Sequence, residues 1–173
     1  LYTEMLERAV QAIRSGQQPE LDRPLDHGTE VDLHIPALLP DDYIPDVHMR
    51  LIQYKRIASA ESTEALRELK VEMIDRFGLL PDQAEGLFGV TALKLFAQPY
   101  GIKKIEAGPA GGKVHFDGEP KFDPMRIIQL IQTRADTFKL DAEQRLCFST
   151  DLDDPATRID KVRSLLEEVI GIQ

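Results

Sequence analysis

The sequence predicts an α+β fold, in which a small, mainly antiparallel sheet of two hairpins plus an N-terminal strand is covered by helices. Three observations lead there. Residues Glu30 to Ile35 alternate polar and apolar in strict period two, the mark of a half-buried strand. The stretch from 46 to 97 carries runs of helical spacing, and the second half then reads strand, glycine-rich turn, strand, helix, twice over. A doubly wound parallel sheet would need strand–helix–strand alternation, which is not seen.

Taken in order, Tyr2, Met5, Leu6, Ala9, Val10 and Ile13 follow three-and-four spacing and Gly16 supplies a stop, so a leading helix is expected. The chain opens at Leu1 in the middle of that pattern, which suggests a piece of a longer protein. Residues 17 to 28 are polar with Pro19, Pro24 and Gly28 and read as a connector. The domain division expected is therefore 1–28, helix and linker, and 29–173, the body.

After the strand at Glu30 to Ile35, Pro36, Pro40 and Pro45 force an extended crossing. Val47, Leu51, Tyr54 and Ala58 then fall on one helical face, Ser59 to Ser62 breaks the run, and a second helix covers Thr63 to Phe77 before Gly78. Leu80-Pro81-Asp82 opens a third helix, with a core face of Ala84, Leu87, Phe88, Ala92, Leu95 and Phe96. Gly86 and Gly89 weaken that helix or permit close packing.

The paired modules follow. Strands are expected at Ile102 to Glu106 and Lys113 to Asp117 with a helix opening at Asp123-Pro124, then at Thr137 to Leu140 and Arg145 to Ser149 with a helix opening at Asp154-Pro155. Each Asp-Pro is read as an N-cap with proline at the first helical position. Lys113-Val-His-Phe116 and Arg145-Leu-Cys-Phe148 hold equivalent places, the sign of a degenerate ββα repeat.

Composition narrows the function classes. A net charge of −9 argues against nucleic acid as the main ligand, since that binding draws on Lys and Arg neutralising phosphates, and favours a basic protein surface instead. No run approaches the roughly 20 apolar residues of a membrane span, and no signal peptide is evident, so a cytoplasmic chain is expected. Cys147 is the sole cysteine and is read as a buried strand thiol.

Catalytic motifs are missing. Gly108-Pro-Ala-Gly-Gly-Lys113 falls one residue short of a phosphate loop, lacks the Ser or Thr after the lysine, and precedes a strand, so a hairpin turn is expected. His27, His34, His48 and His115 are dispersed, without metal-ligand spacing. No nucleophile elbow occurs, and Asp41-Asp42 and Asp153-Asp154 sit beside prolines at element starts, where acids cap helices or shape turns. The fragment is expected to be neither an enzyme nor a holder of cofactor or metal.

One feature stands out. On the helix Thr63 to Phe77, advancing about 100° per residue places Glu64, Glu68, Glu72 and Asp75 within an arc of about 80°, with Glu61 in line ahead of it. Leu66, Leu69, Met73 and Phe77 fall opposite. A solvated face is the plain reading, yet the like-charge i,i+4 pairs Glu64 with Glu68 and Glu68 with Glu72 are each unfavourable in an isolated helix, which favours an external cationic partner. The rival is a nucleic-acid accessory role for Lys103, Lys104, Lys113 and Lys121 around the first hairpin.

Leu38-Leu-Pro-Asp-Asp-Tyr-Ile-Pro-Asp46, then Arg50-Leu-Ile-Gln-Tyr-Lys-Arg-Ile-Ala-Ser-Ala60, then Leu69-Lys-Val-Glu-Met-Ile-Asp-Arg-Phe-Gly-Leu-Leu-Pro-Asp82, resembles the C-terminal regulatory domain of bacterial transcription-repair coupling factors. The resemblance continues more loosely to the last helix, and residues 1 to 16 look like the trailing helix of the family's translocase region. It implies a parent that is an ATP-driven double-stranded DNA translocase, with ATP and magnesium in its motor domains, which displaces stalled RNA polymerase and recruits UvrA. For this piece it implies autoinhibition: the domain folds back on the N-terminal UvrB-like module of the same protein and masks the UvrA-binding surface. The family's acidic contacts match Glu72 and Asp75, and Glu68 and Glu64 extend the same face.

Overall fold

Leu66, Leu69 and Met73 recur at three- and four-residue intervals, and all three are buried, Met73 completely. That stripe is the anchor of the first of two compact units in the computed structural model, which describes residues 28–171. One unit holds Pro36–Ala92; the other holds Gly28–Ile35 and the chain from Leu93 on. The expected leading helix, the connector and His27 lie outside the described residues. Among the described residues no helix is long and apolar enough to cross a membrane.

In the first unit α1 spans Val47–Ala58, α2 spans Thr63–Phe77 and α3 begins at Asp82, running to Ala97 and so ending in the second unit. Asp46 caps α1 by accepting from the amide of His48, and Ser62 caps α2 by accepting from Ala65. Gly78, at φ +95°, ends α2 in a conformation that side-chain-bearing residues rarely adopt. Pro81 precedes α3, and its carbonyl accepts from Ala84 and Glu85. The core face of α1 differs from expectation: Leu51, Tyr54 and Ile57 are buried with Arg50 and Gln53, whereas Ala58, in the last turn, is exposed.

The proline-rich crossing before α1 is irregular but firmly tied. The Tyr54 hydroxyl accepts from the Leu39 amide at 2.7 Å, Arg50 Nη1 donates to the Ile44 carbonyl at 2.8 Å, and the Tyr43 hydroxyl donates to the Gly78 carbonyl at 2.8 Å. Tyr43 also meets the edge of Phe77. Gly86 brings α3 against this crossing, for a Cβ there would stand 2.1 Å from the Pro36 carbonyl oxygen. Close packing is therefore why α3 carries a glycine.

The second unit is the expected α+β arrangement. Strands β1 (Glu30–Asp32), β2 (Ile102–Gly108), β3 (Gly111–Phe116), β4 (Phe138–Leu140) and β5 (Leu146–Ser149) form one sheet in the order β1-β2-β3-β5-β4. All pairings are antiparallel except β1 with β2. Ile105, Val114 and Leu146 lie side by side across three strands and are all but fully buried, joined in the core by residues of α4 (Met125–Thr133) and α5 (Pro155–Ile170) such as Ile127, Val162 and Leu166. The two hairpins meet through their second strands. Val114 of one hairpin faces Leu146 of the other.

Several details depart from the sequence reading. The first strand stops at Asp32 because His34 takes φ +52° and the carbonyls of Leu33 and His34 accept from the buried guanidinium of Arg158 instead of a neighbouring strand. Cys147 is only half-buried, since its neighbours Leu146 and Phe148 take the core side of β5 and alternation turns it to the other face. Asp154 caps α5 as expected, whereas α4 begins at Met125, with Pro124 in the capping place. The Asp123 carboxylate still accepts from the Met125 amide. The glycine-rich segment is a hairpin turn: Pro109 and Ala110 link β2 to β3, and a Cβ on Gly112 would stand 2.0 Å from the Glu106 carbonyl oxygen.

Tyr54→Phe tests the tie on the crossing. It removes the acceptor of a buried amide and leaves the ring in place, so urea unfolding should show a loss of about 1–3 kcal/mol in stability without a change in secondary structure.

Candidate functional site

The outward face of α2 is fixed by what the helix buries. With Leu66, Leu69 and Met73 turned inward, Glu64, Glu68 and Asp75 are exposed and Glu72 is half-exposed, as the angular reading requires. Phe77 belongs to the inward side but is only half-buried, against Tyr43. The stripe of acids is therefore one continuous surface feature.

Its members are not alike. Glu72 is held by cations of its own unit: both oxygens accept from the guanidinium of Arg56 on α1, the Nη2 to Oε1 contact measuring 3.1 Å, and Arg76 lies 3.7 Å away, one turn along α2. The bond from Arg56 is the chief cause that holds the Glu72 carboxyl below the usual glutamate range. Glu64, Glu68 and Asp75 pair with no cation among the described residues. Glu64 lies in the first helical turn, where the helix dipole favours an acid. Asp75 lies in the last turn, where the dipole disfavours one, so nothing among the described residues rewards its charge.

Two further residues complete this surface, and the sequence reading overlooked both. Val71 is 62% exposed, although it is a β-branched apolar residue in mid-helix. It stands about 20° beyond Glu64 on the helical wheel, so the spacing that found the acids would also have found it. Arg56 lies 16 residues before Glu72 on a different helix, and local periodicity carries no sign of that contact. The face thus offers an apolar spot bordered by carboxylates, a composition suited to a partner that carries arginine and an apolar side chain.

The lysines of the rival reading are divided. Lys104 is engaged by Glu106 at 3.2 Å and by Glu30 at 4.0 Å, and Glu106 also bonds His115 at 3.0 Å. Lys103 and Lys121 are exposed, and Lys113 is half-buried on the sheet face opposite the core. His34 and His48 are exposed, and no group of three potential metal ligands occurs among the described residues.

The family model for the TRCF domain matches residues 33–127, which include all of α1, α2 and α3. This chain belongs to the TRCF domain family. It is 46% identical to the transcription-repair-coupling factor of Escherichia coli (strain K12) and 43% identical to that of Haemophilus influenzae, each over 98% of this chain. The TRCF chain spans 15% of the length of either relative. A crystal structure of the C-terminal domain of a transcription-repair coupling factor shares the fold, with a TM-score of 0.63 at 23% identity over 84% of this chain and 96% of that one. The TRCF assignment includes the helix that carries the acidic face.

The Glu72 environment can be read directly. Because its folded-state pKa is depressed, the stabilisation from its ion pairs is present above the unfolded glutamate pKa and is lost as pH falls through the folded value. A carboxyl-detected NMR titration should place the Glu72 midpoint below the usual glutamate range, and Arg56→Gln should move it upward.

Proposed function

We propose that this domain is an intramolecular docking module that keeps a DNA-repair translocase closed by covering the UvrA-binding surface of the parent's UvrB-like module. The observation that carries this is the outward face of α2: a row of carboxylates, largely without partners among the described residues, beside an exposed valine, within the segment matched by the TRCF family. Charge complementarity with arginines on the partner would give register and a fast encounter, and desolvated Arg–carboxylate pairs would supply most of the specific strength. Glu72 and Asp75 are assigned the main contacts, with Glu68 and Glu64 extending them.

Covalent linkage makes a weak interface sufficient. Two parts of one chain meet at high effective concentration, so closure needs only modest intrinsic affinity, and opening is a shift of population toward whatever binds the open form better. On this reading ATP hydrolysis, its magnesium, and the grips on double-stranded DNA and RNA polymerase belong to other domains of a cytoplasmic parent. This domain sets when UvrA gains access and catalyses nothing itself. The pairing of Lys104 with Glu106 and Glu30 makes the hairpin a poorer phosphate-binding surface than its lysine content suggests.

The decisive experiment is charge reversal in the full-length parent. Glu72→Lys combined with Asp75→Lys should raise UvrA capture by on the order of tenfold at physiological salt and raise basal ATPase activity. Unchanged UvrA capture would overturn the assignment of these residues.

A further inference from the structure

Arg56 holds Glu72 in the geometry that an arginine arriving from outside would have to adopt. It spans both carboxylate oxygens with its two terminal nitrogens, a fork-to-fork contact. The pair is not a buried strut, since the side chains are 41% and 42% exposed and a partner can reach either one. Behind it, Arg56 Nη1 also donates to Oε1 of the fully buried Gln53 at 3.5 Å, which aims the guanidinium from its own helix. Asp75, Glu68 and Glu64, on the same face, have no such cover. Of the four acids on this face, the one nearest the buried side of the helix is therefore the one already occupied.

We propose that Arg56 is a built-in competitor for the docking carboxylate: it occupies Glu72 in the free domain and is displaced when a guanidinium-bearing protein surface docks on α2. This rests on the docking reading given above and adds a regulatory element to it. The partner must break one bidentate contact to make another, and it leaves the displaced Arg56 cation close to its own cations. Both effects weaken the closed state. The contact thereby holds affinity below what the acidic face alone would give, which suits a clamp that has to open. Arg76, at 3.7 Å from Glu72, approaches one carboxylate oxygen without covering both.

The test uses this whole chain and a separately produced UvrB-like module, with affinities measured by calorimetry at low and at physiological salt. Arg56→Gln should tighten binding by about two- to fivefold, the scale of an exposed ion pair, and the gain should shrink as salt rises. Arg56→Lys, which keeps the charge but loses the fork, should fall between the two. Arg67→Gln is the charge control, because Arg67 is exposed on α2 and pairs with no carboxylate among the described residues. In a Glu72→Gln background the gain from Arg56→Gln should vanish.

The outcomes separate the two ideas. If Glu72→Gln and Asp75→Asn leave affinity unchanged, the docking reading itself fails, and this inference with it. If they weaken binding while Arg56→Gln has no effect, weakens it, or gains no more than Arg67→Gln, docking stands and competition by Arg56 is overturned. The upward move of the Glu72 NMR midpoint in Arg56→Gln confirms in each case that the carboxylate was released.

Discussion

The rotation of α2 about its own axis is the constraint on which the functional surface depends. Leu66, Leu69 and Met73 leave little freedom, for turning the helix by one residue, about 100°, would bring apolar side chains into water and press carboxylates into the core. The crossing segment seats the end of the helix, through Tyr43 on the Gly78 carbonyl. Everything proposed for Glu64, Glu68, Glu72 and Asp75 follows from that single orientation. The acids are placed by hydrophobic packing on the other side of the helix, to which Glu72 adds its contacts with Arg56 and Arg76.

Exposed ion pairs contribute little to folding, so the local network around Glu72 is better understood as a determinant of surface availability than of stability. The domain presents carboxylates in two conditions, covered and bare, on one helix face. Val71 adds apolar area that a partner can remove from water, which charges at a solvated rim cannot supply. A surface with these three ingredients favours readiness and reversibility over tight binding.

Much of this was legible in the sequence, for identifiable reasons. Helix α2 was read from Thr63 to Phe77 because Ser62, the inward stripe and Gly78 all speak locally and agree. The two hairpins were readable because glycine-rich turns separate strands of clear alternation. What stayed hidden depends on residues far apart in the chain. Arg50 and Arg158 look like surface cations, yet both are buried because carbonyls from other segments receive them. The early end of β1 and the grip of Arg56 on Glu72 have the same origin. The resemblance to coupling factors draws attention to Glu72 and Asp75, but no motif discloses that Arg56 already occupies one of them.

The order of the strands carries a consequence for synthesis on the ribosome. β1 pairs with β2, 74 residues later at the Glu30–Lys104 match, and the Leu33 carbonyl waits for Arg158, 125 residues on. Within Pro36–Ala92, by contrast, the crossing is tied to α1 over 15 and 6 residues and to the end of α2 over 35. Local contacts form early and distant ones late. The acidic helix can thus take shape while the sheet still lacks its last helix, so the surface assigned to docking exists on the nascent chain before the unit encoded around it is complete.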